Sequence, residues 1–277
     1  MSYHQSADTA AFHNFELAGW EANVSEYDAA FARVTSQAIA PLLDAVGLHK
    51  GMRLLDVASG PGYVAAVAAA QGAQVTGIDF SAPMVARARS ANPAVDFQEG
   101  DAEALAFPDG SFDAVVMNFG MLHLARPERA MTEAARVLKP AGRYAFTVWA
   151  KPDEAVGFGV ILNAIQSHGK LGIQLPEGPP FFRFSEPAEC DRALRSAGFV
   201  GVRVTRHPQI WRFQAADDLF DAIYNGGVRI KAILRAQSDE ALQAIRTAAR
   251  DATQQYMHNG VIELSMPAIL ASASKPG

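Results

Sequence analysis

The amino-acid sequence predicts an α/β fold in which helices cover both faces of a doubly wound, mostly parallel sheet. Short apolar runs alternate with helical segments between Arg53 and Trp149, which is the pattern of repeated strand–helix units. A glycine turn, Gly60-Pro61-Gly62, follows the first apolar run. Acidic residues end successive runs, and in such a sheet they would lie at one edge.

The core elements are predicted within residues 51–150. The apolar runs predict five strands: Arg53–Val57, Gln74–Asp79, Val95–Gly100, Phe112–Asn118 and Arg143–Trp149. Helices are predicted between them, from Tyr63 to Gln71, from Ser81 to about Ser90, and from Pro127 to a turn at residues 139–142.

The flanking regions are predicted to add helices around this core. Residues 1–50 are expected to form an N-terminal helical cap, because Tyr27 and Phe31 are spaced to share a helix face. Residues 151–277 are expected to complete the sheet and to form a helical lid over a site. They divide into a helix from Ala155 to Ser167, a Gly-, Pro- and Phe-rich loop over 169–184, strands near 200–213 and 261–272, and helices from 216 to about 258.

Composition indicates a globular protein with a substantial core, since 49% of the 277 residues are hydrophobic and 19% are charged. The net charge of -5 argues against nucleic acid as a partner. Cys190 is the single cysteine, and residues 1–5 lack a secretory pattern, so we expect a cytoplasmic protein. The most apolar stretch, Val64–Ala70, is far shorter than the roughly 20 residues of a membrane span, and none is expected.

The segment from Asp56 to Ala65 carries the strongest functional signal, because glycines between a strand and a helix let a ligand approach the backbone. Gly60, Gly62 and Ala65 also satisfy the G-x-G-x-x-A pattern of dinucleotide-binding folds, and a glycine turn without a ligand stays open. Asp56 would repel a pyrophosphate, since no Lys or Arg is nearby. A ligand with ammonium and sulfonium groups would be attracted instead.

Two further acids follow the next two strands. Asp79 comes at the distance where a Rossmann-like unit presents a carboxylate to ribose hydroxyls. Asp101 follows the third strand, where a carboxylate can accept a hydrogen bond from an adenine amino group. Either residue alone could be a solvated strand end or a cap. Together with Asp56 they predict one crevice at the carboxyl edge of the sheet.

Four segments resemble successive motifs of class I S-adenosylmethionine-dependent methyltransferases, nearest in style to the ubiquinone and menaquinone biosynthesis branch: Leu54–Ala65, Val75–Met84, Gly100–Asp113 and Val137–Phe146. The resemblance covers roughly residues 54–149. It implies a Rossmann-like sheet of order 3-2-1-4-5-7-6 with the last strand antiparallel. It also implies S-adenosyl-L-methionine as cofactor and S-adenosyl-L-homocysteine as product.

The resemblance also implies roles for individual residues. Gly60 and Gly62 would adjoin the methionine part, Asp79 would hold the ribose, and Asp101 with the backbone of Ala102 would bind adenine. The whole expected cofactor-binding set is Tyr27, Asp56, Ala58, Gly60, Gly62, Asp79, Phe80, Met84, Asp101, Ala102, Asn118 and His123.

Three residues of this set carry a more specific expectation. Phe80 and Met84 would pack near the base, and Asn118 would lie beside the transferred methyl group. Ala58 stands where many relatives have glycine, and alanine is expected to form the turn with ordinary backbone angles.

His123 is the candidate catalytic residue. Methyl transfer is a direct displacement that needs alignment and exclusion of water but no metal. If the acceptor must lose a proton, His123 just after the fourth strand is a candidate general base. A histidine beside the cofactor without a base role, and a structural histidine, both stay open. The other histidines are too scattered to predict a metal site.

The acceptor is predicted to be a small apolar or aromatic molecule, because aromatic residues outside the motifs are the candidate acceptor-binding set: Trp20, Tyr27, Phe181, Phe182 and Phe184. Each ring could equally pack the lid onto the core. The sequence leaves open whether oxygen, nitrogen, carbon or sulfur is methylated, and whether the protein is a monomer or a homodimer.

Two other functions remain as alternatives. An NAD(P)-dependent oxidoreductase on the same fold is disfavoured by Asp56 and by the lack of an evident catalytic Tyr/Lys pair. A non-catalytic protein that binds S-adenosylmethionine stays open, because fold alone does not define function.

Overall fold

The computed structural model describes residues 8–277. The expectation that the chain lacks a secretory leader falls on residues 1–5, which lie outside the described residues. Within residues 8–277, no helix combines the length and the apolar character that crossing a membrane requires.

Two sheets and eleven α-helices make up the described part of the chain. The strands are β1 (Arg53–Val57), β2 (Gln74–Asp79), β3 (Asp96–Glu99), β4 (Phe112–Asn118), β5 (Leu138–Trp149), β6 (Val200–His207), β7 (Ile210–Phe213), β8 (Met257–His258), β9 (Val261–Ser265) and β10 (Ala268–Ser274). The helices are α1 (Asp8–Ala22), α2 (Arg33–Thr35), α3 (Ile39–Ala45), α4 (Tyr63–Ala70), α5 (Ala82–Ala91), α6 (Pro127–Val137), α7 (Val156–His168), α8 (Pro187–Ser196), α9 (Asp218–Gly226), α10 (Arg229–Arg235) and α11 (Asp239–Gln254).

The main sheet has seven strands in the order β3-β2-β1-β4-β5-β10-β6. β10 runs antiparallel to both of its neighbours, β5 and β6, while β1 to β5 are parallel. This confirms the predicted α/β class, strand order and antiparallel last strand. Four of the five residues of β1 are buried, as expected for a strand covered on both faces.

The end of the chain differs from the prediction. The segment 261–272, predicted as one strand of the main sheet, divides at Met266 and Pro267 into β9 and β10. Pro267 has no N–H to continue a ladder. β9 pairs instead with β7 and β8 in a separate three-stranded sheet, so the predicted strand region 200–213 is also shared between the two sheets.

β5 begins earlier than predicted, because the turn expected at residues 139–142 is absorbed into the strand. Leu138 pairs with Phe112 of β4, and the register then shifts before Ala114 pairs with Arg143. Ala141 adopts a positive φ of 60° in this irregular stretch. A bulge therefore takes up the turn residues without ending the strand.

The N-terminal cap is helical but segmented. A π-helical turn spans Asp28–Ala32, and a 3-10 turn spans Ser36–Ala38, between α1 and α3. Such π-helical turns often occur near functional sites. These segments, together with the start of α10, cover the carboxyl edge of the main sheet and form the roof of the site described next.

Candidate functional site

A cavity lies where the carboxyl ends of β1 to β5 meet the N-terminal cap. It encloses about 1390 Å³ of empty space, including its open mouth. Eleven of the twelve expected cofactor-binding residues line it; Gly62 does not. The expected acceptor-binding residues Trp20, Tyr27 and Phe181 line it as well.

Asp56 is buried at the floor of the cavity, with 1% of its surface exposed. Its Oδ2 accepts a hydrogen bond from the Ala65 N–H at 3.1 Å. Its Oδ1 has no hydrogen-bond partner within residues 8–277, and neither has Ser59 Oγ, which belongs to another residue lining the cavity. Burial raises the pKa of Asp56 to about 8, and the nearby Asp79 carboxylate adds to the increase. An unpaired buried carboxylate oxygen is a natural acceptor for a cationic group.

Asp79 joins the end of β2 to the glycine turn. Its Oδ2 accepts from the Gly60 N–H at 2.8 Å, and its Oδ1 accepts from the Ser81 N–H at 3.0 Å. Burial raises the pKa of Asp79 to about 6, although these two bonds oppose the increase. Each carboxylate oxygen has a further lone pair, so Asp79 can still accept from two hydroxyl groups.

Gly62 serves the packing of the turn rather than the wall of the cavity. It caps α4 with a φ of 86°, and a Cβ at this position would lie 2.6 Å from Phe97 Cζ. The left-handed conformation and the close approach both require glycine. Gly60, with a φ of 51° and no such neighbour, is the glycine of this turn that lines the cavity.

The expectation that Ala58 adopts ordinary backbone angles is wrong. Its φ is 54°, and Phe119, which also lines the cavity, has a φ of 56°. The two main chains approach closely, since a Cβ on Gly120 would lie 2.6 Å from the Ala58 Cβ. The left-handed conformation costs a residue with a Cβ roughly 1–2 kcal/mol. Two of the four non-glycine residues with a positive φ within residues 8–277 therefore line this cavity.

The remaining motif residues form the end of the cavity near β2 and β3. Phe80, Met84, Asp101 and Ala102 all line it. His13 of α1 packs edge-on against Phe80, with ring centroids 5.6 Å apart. Asp101 Oδ1 accepts from the Glu103 N–H at 2.8 Å, which shapes the turn after β3.

Asn118 links β4 to the N-terminal cap. Its Nδ2 donates to the Thr35 carbonyl at 3.2 Å, and its Oδ1 accepts from the Thr147 hydroxyl at 2.6 Å. Thr35 Oγ1 in turn lies 3.2 Å from the Tyr27 hydroxyl oxygen. The residue therefore lines the cavity as a fixed polar group rather than a mobile one.

His123 belongs to a charged cluster in the cavity wall. His123 Nδ1 lies 2.8 Å from Glu16 Oε2, and Arg229 Nε lies 2.6 Å from Glu16 Oε1. Burial alone would raise the pKa of Glu16, but the charges and hydrogen bonds of His123 and Arg229 outweigh it and lower that pKa. Sequence reasoning missed Glu16 and Arg229. A signal existed, because Phe12, Glu16 and Trp20 are spaced to share one face of α1.

Aromatic rings surround this cluster. Trp20 packs edge-on against His123 at 4.8 Å between centroids, and Phe181 does so at 6.1 Å. Phe182 and Phe184, also expected in the acceptor pocket, do not line the cavity. Phe184 is buried against Phe146, and Phe182 packs on Phe158 and Phe181, because the loop turns them toward the core.

No cluster of three or more His, Cys, Asp or Glu side chains suited to a metal ion occurs within residues 8–277. His123, which follows β4, is paired with Glu16 and flanked by aromatic rings. Cys190 is buried in the core, away from the cavity wall.

Comparison with known proteins adds independent information. A methyltransferase domain family matches residues 55–146. The demethylmenaquinone methyltransferase of Clavibacter sepedonicus is 39% identical over 180 residues, covering 61% of this chain and 71% of that protein. That of Renibacterium salmoninarum is 40% identical over 111 residues, covering 40% of this chain and 47% of that protein. The chain thus spans about half the length of the first such relatives that it matches.

The fold recurs in solved structures. Phosphoethanolamine N-methyltransferase 2 of Haemonchus contortus, in complex with phosphomonomethylethanolamine and S-adenosylhomocysteine, aligns with a TM-score of 0.59 and 19% identity. The alignment covers 96% of this chain and 60% of that chain. From the sequence matches together with the fold, this chain belongs to the class I S-adenosylmethionine-dependent methyltransferases and resembles their menaquinone branch.

Proposed function

We propose that this chain transfers the methyl group of S-adenosylmethionine to a small-molecule acceptor. The observation that carries the proposal is the meeting of three acids, Asp56, Asp79 and Asp101, in one cavity at the carboxyl edge of the sheet. Two of them are almost completely buried without a Lys or Arg partner among the described residues. A cationic nucleoside supplies the missing positive charge.

The residues present fit this cofactor. The unpaired Asp56 Oδ1 would accept from its ammonium group, and the Gly60 turn would adjoin its methionine part. Asp79 would accept from the ribose hydroxyls. Asp101 and the backbone of Ala102 would contact the adenine, and the side chains of Phe80 and Met84 would pack beside it. When bound, the cofactor supplies an electrophilic methyl group, and its sulfur keeps the electron pair of the broken C–S bond.

The acceptor is proposed to be a flat aromatic molecule such as a quinol. The curated relatives are named for demethylmenaquinone, and the wall near His123 consists of aromatic rings, Trp20 and Phe181 among them. Flat apolar rings pack well against such walls. His123 is proposed as the general base that takes the proton lost by the acceptor.

We also propose a cytoplasmic location, for which the single buried cysteine is the supporting feature. A monomer or a homodimer remains the expectation for the oligomeric state.

The experiment that tests the proposal has two stages. Calorimetric titration with S-adenosylmethionine, S-adenosylhomocysteine and NADH identifies the cofactor. Incubation with labelled S-adenosylmethionine and a panel of naphthohydroquinones, followed by mass analysis, identifies the product. We expect binding of both sulfur nucleosides and a methylated quinol.

A matched pair of variants serves as the control. Asp79→Asn should weaken cofactor binding at least tenfold, since charge-assisted hydrogen bonds contribute about 1.5–3 kcal/mol. Asp96→Asn, at an exposed position of β3, should leave the affinity unchanged. Preferential binding of NADH would favour the oxidoreductase, and binding of S-adenosylmethionine without a product from any acceptor would favour the non-catalytic alternative.

A further inference from the structure

Glu16 is an unusual residue for the middle of a helix, because its side chain has no exposed surface. A buried carboxylate is costly unless it is paired and hydrogen-bonded. Both of its oxygens are occupied, Oε2 by His123 Nδ1 at 2.8 Å and Oε1 by Arg229 Nε at 2.6 Å. These partners lie 107 and 213 residues away along the chain, so the tertiary fold builds the cluster.

Arg229 is held rigidly at the start of α10. Its Nη1 donates to the Pro179 carbonyl at 2.8 Å, and its Nη2 donates to the Leu122 carbonyl at 2.5 Å. Its guanidinium also lies over the Phe12 ring, 4.5 Å from the centroid. An arginine remains charged at any accessible pH. Arg229 thereby keeps Glu16 ionised, in agreement with the lowered pKa of that carboxyl.

An ionised carboxylate can only accept hydrogen bonds, and this determines where His123 carries its proton. The Nδ1 atom faces Glu16, so Nδ1 must be the donor. In the neutral ring the lone pair then lies on Nε2. Nε2 has no hydrogen-bond partner within residues 8–277, and the His123 ring lines the cavity between Trp20 and Phe181.

We infer that Glu16 is a positioning residue that fixes the Nδ1–H tautomer of His123 and leaves Nε2 as the base for an acceptor that must lose a proton. The inference rests on the proposed function and deepens it. The acceptor class is an aromatic hydroxyl compound or its activated ring carbon. The proton of the acceptor would pass to Nε2, and the electron pair that it leaves behind would form the new bond to the methyl carbon as the C–S bond breaks and its pair stays on sulfur. Glu16 would stabilise the imidazolium that results.

The decisive experiment is nitrogen NMR of histidine-labelled protein, without cofactor or acceptor. His123 is assigned by comparison with His123→Gln. We expect the neutral ring of the wild type to carry its proton on Nδ1. A wild-type ring protonated on Nε2 would overturn the inference, and this measurement needs no variant of the cluster to fold.

Glu16→Gln gives the sharpest contrast, because glutamine has the same shape but one donor and one acceptor. Arg229 can only donate, so it takes the amide oxygen and leaves the amide NH2 facing His123 Nδ1. The proton should then move to Nε2. A folded variant that keeps the proton on Nδ1 contradicts the inference. Arg229→Lys retains the positive charge and should retain the Nδ1–H tautomer.

Activity provides the second readout. With a naphthohydroquinone acceptor we expect Glu16→Gln to lower kcat roughly 100-fold, the scale of general base catalysis, with the affinity for S-adenosylhomocysteine changed less than threefold. An unchanged kcat refutes the role of Glu16. The two proposals fail separately: a wild type that binds no sulfur nucleoside defeats the proposed function, whereas intact binding with the Nε2–H tautomer defeats only this inference.

Discussion

Asp56→Asn should make the cofactor-free protein more stable at neutral pH. The Asp56 carboxyl is 1% exposed, and burial raises its pKa from 3.8 to about 8. Asparagine keeps the shape and can still accept from the Ala65 N–H, but it needs no ionisation. The variant therefore removes the energetic cost of this residue while preserving its structural hydrogen bond.

The sign and size follow from the difference between the folded and unfolded pKa. A group with a raised folded pKa holds its proton more tightly when folded, so the free energy of unfolding falls as pH rises from the unfolded pKa toward the folded one. Between pH 5 and 7 the slope is about 1.4 kcal/mol per pH unit, so wild type should lose up to about 2.7 kcal/mol relative to Asp56→Asn. Asp79, whose pKa is about 6, titrates in both proteins, so its own pH dependence is largely common to the two curves.

Urea unfolding of both proteins without cofactor, at pH 5, 6 and 7, measures this difference. The wild-type curve should converge on the variant or fall below it as pH rises. Parallel curves, with a constant difference in the free energy of unfolding across the three pH values, would falsify the argument. Asp96→Asn, at an exposed position, is the matched control and should show no trend.

The same residue couples cofactor binding to pH. A cationic ligand needs the ionised form of Asp56, which at pH 7 is a minor form because the pKa is about 8. Binding of S-adenosylmethionine should therefore release nearly one proton, and affinity should rise up to tenfold per pH unit between pH 6 and 7. Calorimetry in buffers with different ionisation enthalpies measures the proton count. Asp56→Asn should bind more weakly and release fewer protons.

Three further predictions concern packing and charge. Gly62→Ala should destabilise the protein by about 2 kcal/mol or more in thermal or urea unfolding, because it adds a clash with Phe97 to the cost of a positive φ. The control is Gly198→Ala, at a φ of 89° with no atom within 4 Å, which should cost only about 1 kcal/mol. Equal losses of stability in the two variants would contradict the prediction. Trp20→Ala should raise the KM for an aromatic acceptor roughly fivefold, since an aromatic pair contributes about 1 kcal/mol. Cofactor affinity should stay the same in calorimetry, and a change confined to cofactor affinity would contradict the prediction. Glu16 has a lowered pKa, so its contribution to stability is present above pH 4.5 and lost as pH falls through the folded pKa. In acid unfolding, Glu16→Gln should lack this pH dependence. Identical pH profiles of wild type and variant would contradict the prediction.

The core of the fold could be predicted because its signals are local. Most of the parallel strands are short apolar runs, and all five strands predicted between Arg53 and Trp149 lie in the main sheet. The acids after β1, β2 and β3 could be placed together for the same reason, since the carboxyl ends of parallel strands meet at one edge. The split between β9 and β10 was harder to predict, because a single proline interrupts an otherwise continuous apolar pattern.

The cluster around His123 could not be assembled from the sequence. Its members lie on α1, on the turn after β4 and on α10, and no spacing rule links positions 107 or 213 residues apart. The aromatic loop was also ambiguous, because Phe181 faces the cavity whereas Phe182 and Phe184 face the core. Neighbouring rings of one type differ only in the backbone conformation of an irregular loop, which composition does not specify.

Asp56 was the easiest buried carboxyl to predict and Glu16 the hardest, and comparing their surroundings shows why their pKa values differ. Both are almost fully buried: Asp56 lines the cavity, and Glu16 is bonded to two residues that line it, His123 and Arg229. Yet the pKa of Asp56 is raised and that of Glu16 is lowered. The difference lies in the partners: Glu16 is paired with the Arg229 guanidinium and hydrogen-bonded to His123, whereas Asp56 has no cationic partner among the described residues. Titratable groups whose environments separate their pKa values mark different chemical tasks. A carboxylate that the protein neutralises itself is suited to hold a proton-transfer group in place. A carboxyl left without a cation is suited to a ligand that brings one. The protonation states of these two carboxyls therefore distinguish the acceptor end of the site from the cofactor end.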